Sequence, residues 1–139
     1  MNLTTEDARD RFATAVLAHL ATADERSQPH VVATTFAAER DQIVMAVDHK
    51  PKTTPNLKRL RNITANPKVT VLVDHYEDDW SRLWWVRADG TARVVDDAQE
   101  CEEPIRSLQA KYQQYQDHRP DGPVILITVS RWLGWSGEA

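Results

Sequence analysis

A chain of 139 residues, 41% hydrophobic and 27% charged, has the size of one folded domain spanning 1–139, and its formal net charge of −4 argues against a nucleic-acid or other polyanion binder. One cysteine, Cys101, excludes an internal disulfide and fits a reducing compartment. No cationic leader precedes an apolar run, and no run of roughly 18 apolar residues occurs, so a soluble, cytoplasmic protein with no membrane partner is expected.

Thr4 or Thr5 can cap a first helix, with Glu6, Asp7 and Asp10 near its positive end and Ala8, Phe12, Ala15 and Val16 at helical spacing up to about Ala18. His19 to Thr22 reads as a short strand and Asp24 to Pro29 as a polar turn. His30 to Phe36 and Gln42 to Val47 are β-branched, extended runs. A helix is expected over about Pro55 to Ala65, with Leu57, Leu60, Ile63 and Thr64 facing inward. Val69 to Val73 is apolar throughout, as a strand covered on both faces would be. Leu83 to Val95 reads as a long strand, or as a hairpin turning at Asp89-Gly90. A helix around Ala98 to Tyr112 carries the stripe Cys101, Ile105, Leu108 and Tyr112, and Pro104 argues for a start nearer Glu102. Val124 to Val129 forms a last strand. Short β runs with few intervening helices argue against parallel βαβ units and for a mainly β fold: a closed or nearly closed antiparallel barrel with peripheral helices.

Between Asp48 and Asp74 there is no acidic residue, while Lys50, Lys52, Lys58, Arg59, Arg61 and Lys68 supply six of the 17 basic side chains. Thr53-Thr54-Pro55 is a helix-start signature inside that island, and Asn66-Pro67 ends the helix. Free N–H groups, a positive dipole end, hydroxyls and cations converging at one place suit a phosphate or other small anion. A solvated amphipathic helix accounts for the same residues.

Several segments in order resemble one family. Gln28 to Thr35 (Gln-Pro-His-Val-Val-Ala-Thr-Thr) is similar to the first cofactor-lining strand of the flavin-binding split β-barrels, the pyridoxamine-phosphate-oxidase-like superfamily. Asn62 to Val71 resembles its helix-to-strand signature, and Trp85 to Ala92 its following Val-Arg-x-x-Gly-x-Ala strand. With the tail Val124 to Trp135 the likeness covers most of the chain. The wording Lys50-Pro51-Lys52, Leu57 to Ile63 and Asp78 to Arg87 is similar to an actinobacterial branch using the deazaflavin coenzyme F420 in place of FMN.

The resemblance implies an antiparallel Greek-key split barrel, and a homodimer with two cofactor sites at the subunit interface. It implies an oxidoreductase passing a hydride from reduced F420 to a small organic substrate. An FMN-dependent oxidoreductase of the same fold, and a non-catalytic flavin or F420 carrier, are the alternatives. Two adjacent basic residues before the Asn-Pro signature clamp the phosphate in the family; here they are Lys58 and Arg59. Val32, Ala33, Thr34 and Thr35 are expected along the ring's hydrogen-bonding edge, with Ala46, Val47 and Asp48 beside them. Lys50 and Lys52 touch phosphate, reach a polyanionic tail or face water. One of Trp84 and Trp85 walls the ring, supplied by the partner copy, or packs in the core; Trp132 and Trp135 carry the same two readings. True pyridoxamine phosphate oxidases end in an Arg-Leu-His motif, absent from Ser130 to Gly137, which argues against that substrate.

No nucleophile–base constellation and no phosphate-cradling glycine loop appears, so catalytic side chains are not assigned; hydride chemistry resides in the cofactor. The five histidines (His19, His30, His49, His75, His118) lack metal-ligand spacing, so no metal is expected. His30 reads as surface or ribose-contacting. Asp74-His75 beside Glu77-Asp78-Asp79 reads as a charged strand end and turn, with a proton relay there as the lesser alternative.

Overall fold

The computed structural model describes residues 1–47 and 58–138. Helix α1 (Thr5–Thr14) begins where the sequence places it, with the Asp7 amide donating to Thr4 Oγ1 at 3.1 Å. It stops four residues before Ala18, with Ala15 already extended and Val16 69% exposed. The reason is the next element: Ala18, Leu20 and Thr22 are the buried positions of strand β1 (Ala18–Ala23), which pairs with β2 (Pro29–Thr34) from Ala18 onward. The Asp24 carboxylate shapes their turn by accepting from the Arg26 and Gln28 amides (2.8 and 2.9 Å), bonds that hold its pKa low. A short strand β3 (Ala37–Glu39), not foreseen, pairs with β4 (Gln42–Ala46) across an Arg40-Asp41 turn in which Arg40 has φ 52.

The remaining elements are α2 (Lys58–Ala65), β5 (Lys68–His75), β6 (Trp84–Val95), α3 (Ala98–Lys111), α4 (Gln113–Asp117) and β7 (Val124–Ser136). The seven strands form one antiparallel sheet in the order β2-β1-β5-β6-β7-β4-β3. The two edge strands are consecutive in sequence and joined only by Thr35 and Phe36. Two linking residues reach no more than about 10 Å, so the sheet has to curl on itself into the expected barrel with an open seam.

Inside lie Leu20, Phe36, Ile43, Met45, Val71, Val73, Val86, Ile125 and Ile127, all fully buried. Phe12 of α1 packs into this core, 4.9 Å from Phe36 and 5.1 Å from Trp132 between ring centres. The stripe Cys101, Ile105, Leu108 of α3 lies in a second buried cluster with Val44, Ala46, Val95, Val124 and Leu126.

Five expectations need correction. Val69 to Val73 is covered on one face only: Val69, Val71 and Val73 are buried, whereas Leu72 is 37% exposed. Asp89-Gly90 is no hairpin turn. β6 runs straight through it, and the register slips there because Ser130 of β7 is bulged out, its hydroxyl donating to the Asp89 carbonyl at 3.1 Å. Gly90 is required because a Cβ would meet the Thr128 carbonyl oxygen at 2.3 Å. Helix α3 passes through Pro104 and starts at Ala98, since Asp97 caps it by accepting the Glu100 amide at 2.9 Å. Strand β7 continues seven residues past Val129 to Ser136, paired with β6. Thr64 is exposed, and the inward residue beside Ile63 is Asn62.

Candidate functional site

Two regions stand out. The first is the corner where α2 meets the β1–β2 hairpin. Asn62 Nδ2 donates to Thr22 Oγ1 at 3.0 Å with both residues buried, which pins α2 to the end of β1. Lys58 lies one helical turn before Asn62, and its charge acts on Asp24 in the hairpin turn. His30 pairs with Thr22 across the hairpin, and its Nδ1 is buried without a hydrogen-bond partner. A buried nitrogen of that kind is costly unless a ligand supplies the missing group. Arg59 sits beside Lys58, half-buried. Asp48, Lys50 and Lys52, with the Thr53-Thr54-Pro55 cap, lie outside the described residues.

The second region is a groove of about 610 Å³ on the outer face of β1, β2, β5 and β6. Ala21, Val31, Thr70 and Leu72 line one end, and His75, Tyr76, Leu83, Trp84, Trp85 and Trp135 the other. From Thr70 to His75 it follows β5 for about 17 Å at 3.3–3.4 Å per residue. Its end at Ala21 and Thr70 is one residue from Thr22 along β1, on the opposite face of the sheet from the buried Thr22 and its partner His30. Its floor carries an ordered polar set, with Thr70 Oγ1 donating to Asp89 at 3.0 Å and the Arg87 guanidinium 3.5 Å from the same carboxylate.

The sequence-derived candidates divide by strand parity. Trp85 shares the outward face with Asp74 and Trp135, its cross-strand partners. Trp84 also borders the groove but packs against the barrel core, with the Arg11 guanidinium 5.8 Å from its ring centre. Ala33 is exposed on the outer side, whereas Val32 packs against the core. Thr34 Oγ1 donates to the Thr35 carbonyl at 3.0 Å, and the Thr35 hydroxyl is bonded to Tyr115 at 2.7 Å. Ala46 and Val47 are buried, Ala46 in the cluster with α3. Trp132 is not brought to the groove: it packs on Phe12, and its indole N–H donates to Asp41 at 2.9 Å, the main reason the Asp41 carboxyl sits below its usual pKa.

The groove's far end holds the charged strand end and turn noted in the sequence. His75 Nε2 lies 2.5 Å from Glu77 Oε2, and Glu77 Oε1 takes the Arg82 Nε at 3.1 Å. The Asp-His-x-Glu spacing reads as a charged turn ahead of a proton relay, because nothing local announces that His75 ends a groove-lining strand. Among the described residues no cluster of His, Cys, Asp and Glu could hold a metal ion, and no helix is long and apolar enough to cross a membrane.

Among curated proteins, none matches the chain. Solved structures share its fold at low identity. A FAD-binding protein from Mesorhizobium loti superposes with TM-score 0.75 at 17% identity, covering 96% of this chain and 95% of that one. A FAD-binding protein from Mycobacterium smegmatis gives 0.68 at 15% identity over 97% and 98%. A heme storage protein from Vibrio cholerae gives 0.68 at 17% identity over 92% and 89%. The split-barrel architecture is common to all of them. The family model described as pyridoxamine 5'-phosphate oxidase matches residues 4–136, nearly the whole chain, and the protein belongs to that family.

Proposed function

We propose that the chain acts as a homodimeric oxidoreductase. Each copy binds a phosphorylated tricyclic redox cofactor, coenzyme F420 ahead of FMN, and delivers its hydride to a small organic acceptor. Two observations carry this reading: the corner at α2, where His30 has a buried, unpartnered nitrogen and Lys58 and Arg59 open the helix pinned to its partner Thr22, and the aromatic-walled groove on the outer face of the same strands. Cations and an imidazole nitrogen suit the phosphate-bearing arm, and flat apolar walls suit a tricycle. FAD-binding proteins of the same fold support a flavin-type ligand.

Preference for F420 rests on the resemblance and on the basic island, since additional cations at Lys50 and Lys52 favour a tail bearing several carboxylates. When bound, the reduced cofactor supplies the hydride; the chain's residues hold it, orient it and exclude water. The likeness to a heme storage protein favours a second reading, a carrier without turnover, which fails if the bound, reduced cofactor is reoxidised by an added acceptor.

The test is quenching of tryptophan fluorescence by F420 and, separately, by FMN. Micromolar binding of F420 with none of FMN is expected. Replacing both Lys58 and Arg59 by Ala should weaken that binding at least 10- to 100-fold, since one ionised donor to phosphate contributes about 1.5–3 kcal/mol and each 1.4 kcal/mol is about tenfold. Binding of FMN alone would reverse the cofactor preference, and unchanged affinity in the double variant would refute the site.

A further inference from the structure

The far end of the groove gathers five flat side chains, His75, Tyr76, Trp84, Trp85 and Trp135, around one set of titratable groups. His75 is the imidazole of that set, with two ring nitrogens that can each give or take a proton. Its ring lies 18° from parallel to Trp84 with centres 6.3 Å apart, and its Nε2 is engaged by Glu77 at 2.5 Å. Glu77 is in turn held by Arg82 at 3.1 Å, and Arg82 closes the 3-10 turn Trp80–Arg82 that Asp79 caps through the Ser81 amide at 3.1 Å. The bond from His75, then the charge of Arg82, keep the Glu77 carboxyl below its usual pKa. An imidazole fixed at one nitrogen by a carboxylate, with the carboxylate itself anchored, is the arrangement that presents the other nitrogen to a ligand in a set direction. The charged and titratable groups around it are Asp74 of β5, Arg87 of β6 and His19 of β1 along the groove, Glu77 and Arg82 from the β5–β6 connection, and Arg11 of α1 behind Trp84.

We propose that His75 is the proton donor to a hydride acceptor seated at this aromatic end, with Glu77 as its positioning residue. This rests on the reading of the chain as an F420- or flavin-dependent oxidoreductase. An acceptor with a polarised double bond, such as a conjugated enone, gains a hydride at its β-carbon and needs a proton at its α-carbon. The hydride, with both electrons, comes from the reduced deazaflavin or flavin, which is oxidised. The proton comes from the His75 imidazolium, which becomes neutral while Nε2–H stays on Glu77, and water restores it. Both electrons and both hydrogens are then accounted for, and the product is the saturated ketone.

The experiment uses the full chain loaded with reduced F420 and mixed with cyclohex-2-en-1-one, following cofactor reoxidation across pH. Wild type should slow on the alkaline side. His75→Gln should be slower by about 10²- to 10⁴-fold, the usual contribution of a general acid, and should lose the alkaline limb. Glu77→Gln should keep the limb but move it to lower pH, because the carboxylate that stabilises imidazolium is gone. A merely structural role for the pair would lower thermal stability and leave the limb in place.

A second readout needs no turnover: nitrogen-15 signals of the His75 ring, identified by their absence in His75→Gln, should move when the enone is added to protein carrying oxidised F420. Retained rate and pH limb in His75→Gln, with cofactor affinity unchanged, would overturn the proposal and leave the oxidoreductase reading standing. So would a wild-type complex whose His75 signals ignore the enone, or follow protein concentration instead, which would mean a second copy fills this end. Absence of cofactor binding in wild type would remove the parent reading itself.

Discussion

Lys111 is the last residue of α3, and its ammonium is buried with no hydrogen-bond partner, 3.7 Å from the centre of the Phe36 ring and 5.3 Å from that of Tyr112. Burial lowers its pKa from 10.5 to about 8. At 1.36 kcal/mol per pH unit that drop corresponds to about 3.4 kcal/mol of penalty on the charged form. The figure is an upper bound, because the side chain as a whole is only half-buried and water screens it. The Phe36 ring face returns about 0.5–2 kcal/mol to the cation. That leaves at most about 1.4–2.9 kcal/mol before water screening, so about 1 kcal/mol should be recovered by Lys111→Met, which keeps the aliphatic stem and discards the charge. For a domain of this size that is a rise in Tm of roughly 3–5 °C at pH 7.

The sign with pH follows from linkage. Below about 8 both folded and unfolded chains hold the proton and the penalty is complete. Between about 8 and 10.5 the unfolded chain binds more protons, so wild-type stability climbs with pH and the advantage of the variant shrinks. Thermal unfolding by circular dichroism at pH 7 and pH 9.5 measures both. A variant less stable than wild type at pH 7, or a gap that widens toward pH 9.5, would show that the ring faces hold this ammonium rather than tolerate it.

Gly90→Ala should lower Tm by several degrees, since the new methyl meets backbone at Thr128 and Val129 rather than a yielding side chain, an overpacking cost of about 1–3 kcal/mol; a change under 1 °C would mean that the bulge at Ser130 relaxes freely. The Tyr112 oxygen takes the Phe36 amide at 3.1 Å and stands 2.9 and 3.0 Å from the Val16 and Phe36 carbonyls. Tyr112→Phe should therefore cost about 1–3 kcal/mol and speed hydrogen exchange at the Phe36 amide, and unaltered exchange there would refute the assignment. Leu72→Glu should leave the fold intact while converting a dimer to monomers in sedimentation; a dimer unaffected by the charge would place the interface elsewhere.

What the sequence made legible was whatever depends on short-range rules. The Thr4 cap, the α3 stripe and the polar turn after Ala23 each follow from residues within one turn of one another. The errors arose where distant chain segments decide. Asp89-Gly90 carries hairpin chemistry, yet Ser130, forty residues on, absorbs the irregularity as a bulge and lets β6 run on. Ser130 to Ser136 fell outside the expected last strand because serine and glycine weaken a strand signal. The structure uses that smallness, since a Cβ on Gly134 would lie 2.8 Å from Leu3, so the residue is small where the N-terminal segment crosses. At the proposed site, Lys58 and Arg59 are candidates through the resemblance alone, by their place before Asn66-Pro67. The link from His30 through Thr22 to Asn62 needed the hairpin register and the seat of α2 together.

The apolar run in β5 is the most instructive disagreement. Burial of Val69, Val71 and Val73 already satisfies the inner face, and folding of one chain does nothing for Leu72, nor for Val31, which is 60% exposed on β2. An outward face with no packing duty would be expected to carry polar residues at such positions, as the hydrophobic-in, polar-out alternation of one-sided sheets does. Here the outward side of β1, β2 and β5 carries Ala21, Val31 and Leu72, which run into the aromatic end of the groove. A strand that reads as covered twice but is covered once argues for a second cover supplied from outside the chain. A second copy, as in the homodimer proposed above, would provide that cover and turn the open groove into a walled site with an aromatic end from each copy.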